Sequence, residues 1–348
     1  MSLRPKNCFW PGRSRTLIVG LILFGFFLPN LPAHGATKVK TIHKAFSFSP
    51  KGQLLLKIGN AHLRVTAWDS AKIDLKITEQ ARNTSLVKAE RALASAEIAI
   101  RLQGKRFVLE SHLPQGHFTP LDVFTSAFWK QKIQRVSARF ELKVPRFSAL
   151  TVKGKDKRVH IRGVSGEIHV TLDDGAVTLE NCAAPLLTLE TDNGAIHVEN
   201  TAAGKAGSSL LFSTGQGDVV VKEGNFQKMV GNTKTGDILL LNVRVGTLDL
   251  STQTGNLELV LRPSPLPAYR LDSRLGDIFL YLPTKFSARC EASTDEGLLF
   301  TGGKIPVTGK EDGARCQTTL GDGKGRVTLH TREGDIRLQI GNTGGTDF

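Results

Sequence analysis

Glu167, Asp173, Asp174 and Glu180 crowd into one short stretch of the chain. Paired carboxylates are the chemistry of polysaccharide cleavage, where one protonates a leaving oxygen and the other attacks or activates water. That work needs two or three of them converging on one open face, and nothing in the spacing of these four orders them. A second set, Glu167, Asp218, Asp237, Asn256, Asp277 and Asp335, follows a glycine each time. Stacked carboxylates of this kind are hard oxygen ligands for calcium. Ala176, Ala195, Asn256 and Leu298 interrupt the set, and the tandem nonapeptide glycine–aspartate pattern of calcium-loaded rolls is absent. His169 and His197 stand three residues after their glycines, in Gly-Glu-Ile-His-Val and Gly-Ala-Ile-His-Val. With the coil of Gly175 between them they would lie roughly 9–10 Å apart if each coil advances one strand spacing, too far to share a zinc held at about 2.1 Å per bond. The expectation is a chain that is not an enzyme, with no catalytic residue, no cofactor and no metal.

The element that would position these residues is a repeated turn. Thr233-Lys-Thr-Gly236-Asp-Ile returns nineteen residues later as Thr252-Gln-Thr-Gly255-Asn-Leu. Marker glycines fall at Gly166, Gly175, Gly194, Gly217, Gly236, Gly255, Gly276, Gly297 and Gly334, with intervals of 9, 19, 23, 19, 19, 21, 21 and 37. The short interval reads as a half-turn and the long one as an insertion. Two and four residues after the glycines come apolar pairs such as Ile238/Leu240 and Leu257/Leu259; five and seven before come others such as Leu250/Leu248. Spacing of two means short strands with one buried face. A unit of two short strands cannot hide that face alone, so fixed-period repeats of this length stack. Three residues before the glycine sits a hydroxyl: Thr191, Thr214, Thr233, Thr252, Ser273, Thr294 and Thr331. Thr-x-x-Gly suits a tight turn in which the hydroxyl bonds back to the chain; a threonine-lined face for ice or crystal surfaces is the alternative. The prediction is an all-β protein, a parallel β-solenoid of about 20-residue coils, with these hydroxyls and Gly194, Gly217, Gly236, Gly255, Gly276, Gly297 and Gly334 as its structural turn column.

Two further passages share the pattern. Gly52 to Ala81, "GQLLLKIGNAHLRVTAWDSAKIDLKITEQA", opens with strands and puts Trp68-Asp69 at a first bend. Val136 to Val170, "VSARFELKVPRFSALTVKGKDKRVHIRGVSGEIHV", carries a strand–Val-Pro–strand passage into the repeats. In these motifs and their order the chain resembles the bacterial putative-adhesin family of β-strand repeat domains, a domain of unknown function related to head-domain adhesin-like proteins, from about residue 45 to 340. The resemblance implies an exported β-solenoid with a surface or adhesive role and no established catalytic residues.

The ends differ. Arg4, Lys6, Arg13 and Arg15 precede an apolar run from Thr16 to Pro29, and Ala33, Gly35 and Ala36 follow it. This is the pattern of a secretory signal peptide over residues 1–36; left uncleaved, it would anchor the chain. The formal charge is +14, and removing those four cations leaves 14 − 4 = +10. A basic exported protein attracts anionic surfaces, or is simply soluble. Asn83 to Leu102 has helical spacing at Leu86, Ala89, Leu93 and Ala96, with Thr84 or Ser85 as cap, and a helix there would cover strand edges at the solenoid's end. Phe118, Phe124, Phe128 and Trp129 form an aromatic segment, either packed on the solenoid or a contact patch. Cys8 leaves with the signal; Cys290 should point inward, Cys182 is too far to reach it, and Cys316 could approach it.

The organisation expected is residues 37–145 as strands, helix and aromatic loop, 146–342 as repeats, and 343–348 as a tail. The function expected is a non-catalytic scaffold located in the periplasm, on the cell surface or outside the cell, binding a cell-envelope glycan, a surface or a protein. A polysaccharide-active enzyme or acidic-glycan binder is one alternative, and an envelope assembly or stress factor acting by protein contacts another. An anionic glycan is the partner charge favours. No nucleic acid is expected, and membrane contact only through an uncleaved N-terminus or the aromatic loop. Ligand, oligomeric state and biological process are not legible in the sequence.

Overall fold

The computed structural model describes residues 36–83, 85–113, 135–201, 207–301, 308–310 and 313–341. Residues 1–35, Phe118, Phe124, Phe128, Trp129 and residues 342–348 lie outside them. Strands run β1 (Ala36–Ser47), β2 (Gln53–Ile58), β3 (Ala61–Trp68) and β4 (Lys72–Asn83) to the helix α1 (Leu86–Ala94), then β5 (Glu97–Gln103), β6 (Arg106–His112) and β7 (Arg135–Pro145). The repeats follow as β8 (Ala149–Asp156), β9 (Val159–Arg162), β10 (Ile168–Asp174), β11 (Val177–Glu180), β12 (Leu186–Asn193), β13 (Ile196–Glu199), β14 (Ser209–Gln216), β15 (Val219–Lys222), β16 (Asn225–Thr235), β17 (Ile238–Thr254), β18 (Leu257–Leu261), β19 (Ala268–Leu275) and β20 (Ile278–Leu282). The C-terminal strands are β21 (Ala288–Glu296), β22 (Leu299–Phe300), β23 (Thr308–Lys310), β24 (Gly313–Leu320), β25 (Gly325–Glu333) and β26 (Ile336–Ile340).

Each repeat is one rung of two strands, and successive rungs stack in parallel and in register. Sheet I carries β8, β10, β12, β14, β16, the second half of β17 and β19. Sheet II carries β9, β11, β13, β15, the first half of β17, β18 and β20. Alternation decides which side chains meet: Ile238, Leu257 and Ile278 lie in line on sheet II, Leu248 and Leu250 face them from sheet I, and all are buried in one continuous core. Burying one such aliphatic side chain contributes about 1.5–3 kcal/mol, available only because a neighbouring rung covers it.

The ends correct the expectation of a parallel solenoid, because both sheets are mixed. At the N-terminal end β4 runs antiparallel to β7 and β1 antiparallel to β4, while β5 runs antiparallel to β6. At the C-terminal end β24 runs antiparallel to both β21 and β23. Hairpins bring a last strand onto a stack without another full coil. The outer strand β1 puts Lys38, Lys40 and Lys44 along an edge that would otherwise template further pairing.

Rung order also departs from chain order. The rung β2–β3 sits between β6–β7 and β8–β9. The last rung, β25–β26, inserts between β19–β20 and β21–β22. The long interval from Gly297 to Gly334 is therefore an excursion through β23 and β24, after which the chain returns to an inner position. The helix is shorter than its periodicity suggested. Ser85 caps it by accepting a hydrogen bond from the Lys88 amide, and Ala89, Ala92 and Leu93 face the core. Ile98 and Ile100 alternate in β5 instead of continuing the helix. The helix packs against β4 and the edge strand β1, where Lys38 pairs with Glu90 at 2.8 Å, and its apolar face closes the core at that end.

Candidate binding face

The turn column comes first, because its residues are those the sequence singled out. Thr191, Thr214, Thr252, Ser273, Thr294 and Thr331 are buried, and each hydroxyl donates to a glycine carbonyl of the neighbouring rung: Gly175, Gly194, Gly236, Gly255, Gly334 and Gly276, at 2.9–3.4 Å. Thr233 is buried in the same column, its hydroxyl without a partner among the described residues. The bond runs across the stack rather than back along the turn. Gly255 shows why glycine is required there. Its φ is +147°, and a Cβ would stand 2.2 Å from the Gly236 carbonyl oxygen.

The acidic column after the glycines is also tied to the stack. Asp218 accepts from the Asp237 amide, Asp237 from Asn256, Asn256 from Asp277, Asp277 from Asp335 and Asp335 from Leu298, at 2.7–3.0 Å. A hydrogen bond from an amide to a charged acceptor is worth about 1.5–3 kcal/mol, so the column has a structural reason to be acidic. The opposite bend carries a column that the glycine count passed over. Asn181, Asn200, Glu223 and Asn242, each six residues after a marker glycine, adopt φ of 48–55°. Asparagine tolerates the left-handed region better than most residues. Asn242 Nδ2 also donates to Glu223 Oε1 at 2.6 Å, one rung away.

The other candidates are dispersed. Glu167 precedes β10, whereas Asp173 and Asp174 end it, so the length of the strand separates them. Glu180 lies on sheet II, 3.2 Å from His160 Nε2, and Asp174 accepts from Asn193 at 2.6 Å. The histidine geometry was misread: Gly166 belongs to the opposite bend, so His169 lies on sheet I and His197 on sheet II. The residue two rungs from His197 in its own row is His160. Among the described residues no three His, Cys, Asp or Glu side chains group as metal ligands. Cys182, Cys290 and Cys316 are free and buried. Cys316 pairs with Ala292 and Cys290 with Thr318, so the two thiols are diagonal neighbours on antiparallel strands. Burial pushes the Cys290 thiol up to about 12, and the Cys316 and Cys182 thiols upward too.

What remains free to meet a ligand is the outward side of the strands. On sheet I, β17, β19, β25 and β21 line a depression of about 640 Å³. Its floor is a lattice of charge in register: Asp249, Arg270, Thr328 and Glu291 across one row, and Asp272, His330 and Ser293 across the next. A second depression of about 950 Å³ adjoins it at Glu291 and Arg326 and adds Arg289, Gln317 and Lys324. Arg326 reaches Glu291 at 4.0 Å, Gln317 donates to Glu291 at 3.3 Å, and Ser293 Oγ meets His330 Nδ1 at 3.2 Å. Alternating donors and acceptors over a shallow, open floor suit a polar, hydroxyl-rich partner better than an apolar one.

The Toastrack DUF4097 family profile matches residues 56–339, nearly the whole stack. The chain belongs to the Toastrack DUF4097 family. No curated protein sequence matches it. Solved structures similar to this Toastrack chain include a "putative cell adhesion protein" from Clostridium sporogenes, 13% identical, covering 87% of this chain and 100% of that one with a TM-score of 0.23. A "putative adhesin" from Bacteroides fragilis is 8% identical, with coverage of 86% and 97% and a TM-score of 0.29. A "putative lipid binding protein" from Parabacteroides distasonis is 10% identical, with coverage of 86% and 96% and a TM-score of 0.31. Each is a protein this chain resembles, and none lends it a ligand. Among the described residues no helix is long and apolar enough to cross a membrane.

Proposed function

We propose that the chain is an exported, non-catalytic β-solenoid scaffold that binds a glycan-bearing surface of the cell envelope in the manner of an adhesin. The supporting observation is the charged depression on sheet I. The hydroxyl and acidic columns bond to their own stack, whereas Arg270, Arg326 and Arg289 project outward from consecutive rungs. The rungs act as a rigid ruler, and the outward positions carry the recognition. In this reading residues 1–36 are a signal peptide, and residues 37–348 work in the periplasm, on the surface or outside the cell. The net charge of +10 then draws the protein toward acidic glycans.

The test is retention of the purified protein on envelope polysaccharide at low and high salt, beside an Arg270→Gln/Arg326→Gln variant. Both positions are exposed, so the variant keeps the fold. Expected is retention that the variant loses and salt weakens. Retention indifferent to both changes contradicts the reading, as does release of shortened sugar chains.

A further inference from the structure

The opposite sheet changes character along its length. On the outer face of sheet II, His160, Thr178 and His197 occupy one row in the early rungs, beside Glu180 and Glu199. The rung of β15 holds Val220 and Lys222, and from the rung of β17 onward the same two rows hold Leu239, Leu241, Val260, Phe279 and Tyr281, with Glu258 the acid among them. Beyond them Arg337 of the inserted rung lies between Phe279 and Phe300, in register with both. Its guanidinium carbon is 5.4 Å from the Phe279 ring centre and 5.3 Å from that of Phe300. Arg337 makes no ion pair among the described residues, and it and Phe300 are exposed.

We propose that this end of sheet II is a stacking platform for the acidic sugars of a polysaccharide strand lying along the stack. Three features select that occupant. The platform spans five rungs and two rows, roughly 200–300 Å² at a strand spacing of about 4.8 Å, against roughly 800 Å² per partner for a stable protein interface. A second copy of the chain would therefore gain too little by docking here. The charge is a single cation held between two rings, and a guanidinium fork takes a carboxylate through two parallel hydrogen bonds. A uronic acid joins that carboxylate to an apolar face of ring C–H bonds, and those bonds meet the parts of the Phe279 and Phe300 rings that Arg337 leaves uncovered. The rungs also advance by nearly the length of one sugar in a β-linked chain, so rings on alternate rungs meet alternate sugars.

The proposal shares with the preceding section only the idea of a glycan partner. The two surfaces lie on opposite sheets, so their variants separate them. Binding of the purified protein is measured with three probes: a β-linked mannuronate oligosaccharide, a neutral cello-oligosaccharide and phosphatidylglycerol vesicles. Expected is preference for the mannuronate, a loss of roughly tenfold or more with Phe300→Ala, as when an interface anchor is truncated, and loss of the preference for acid with Arg337→Gln. Arg337→Lys keeps the charge and recovers part of the preference. Lys88→Gln, an exposed change on the helix away from both faces, is the control and binds the mannuronate as the unmodified protein does. The proposal is overturned if Phe300→Ala and Arg337→Gln bind as the unmodified protein does, if only the sheet I variant loses binding, or if the protein takes vesicles and neither sugar.

Discussion

Replacing Gly255 by alanine tests the stack at its tightest point. The new Cβ would lie 2.2 Å from the Gly236 oxygen and 2.6 Å from its carbon, and must move about 0.8 Å to reach the 3.0 Å below which such contacts essentially never occur. Neither rung is free to yield. The Gly255 amide donates to Leu275 O at 2.9 Å, Gly236 donates to Thr254 O at 3.0 Å, and Asn256 donates to Asp237 Oδ1 at 2.7 Å. The backbone conformation costs a non-glycine residue about 1–3 kcal/mol, and weakening one or two of those bonds adds about 1 kcal/mol each. The sum is about 2–5 kcal/mol. Gly104→Ala is the control, because φ there is +57° with nothing within 4 Å of the new Cβ, for a cost of about 1–2 kcal/mol. Urea unfolding followed by circular dichroism reads both as shifts in midpoint. If Gly255→Ala costs no more than Gly104→Ala, adjacent rungs do not approach as described.

Three further outcomes follow from the geometry. Because burial raises all three thiols, a thiol reagent near neutral pH should find none of Cys182, Cys290 and Cys316 fast-reacting in the folded protein and all three in denaturant; reductant should leave the melting temperature unchanged. Lys324 and then Ser287 hold the Asp322 carboxyl down to about 2 from its ordinary 3.8. A depressed carboxylate contributes stability above its unfolded value that is lost as pH falls through the folded one, so between pH 4 and 2 the bend at Asp322 should loosen and Asp322→Asn should flatten that limb of the melting curve. Deleting Gly325–Ile340 removes an inner rung, so limited proteolysis should newly cut between residues 257 and 301; an unchanged digestion pattern contradicts the insertion.

Much of the stack was legible because its demands are local. A buried face every second residue, a hydroxyl and a glycine recur wherever the chain bends toward sheet II, and the residues declare it. The His169–His197 pairing failed because Gly166 has the same local sequence at the opposite bend, and a glycine alone does not say which bend it serves. The Asn181–Asn200–Asn242 column was visible at a fixed offset from the glycines, but asparagine is common in turns and carried no separate weight. The helix overran because Ala96 keeps the helical spacing, whereas Ile98 and Ile100 answer to the strand beside them. The insertion of β25–β26 could not be read at all. A rung's local pattern fits between any two others, so its place depends on long-range pairing, and the Phe279–Arg337–Phe300 stack appears only once that place is known.

Disulfide trapping tests the rung order directly. Asp272 and His330 are in register on adjacent strands, and His330 and Ser293 are in register on the next pair. Cysteines at Asp272 and His330 would therefore stand about 4.8 Å apart at the Cα atoms, inside the range of about 4.4–6.8 Å that a disulfide spans. Cysteines at Asp272 and Ser293, on rungs consecutive in sequence, would stand about 9.6 Å apart. Mild oxidation and peptide mapping should find the 272–330 link in Asp272→Cys/His330→Cys and no 272–293 link in Asp272→Cys/Ser293→Cys. A 272–293 link without a 272–330 link would mean that the rungs stack in chain order and that Arg337 does not stand between Phe279 and Phe300.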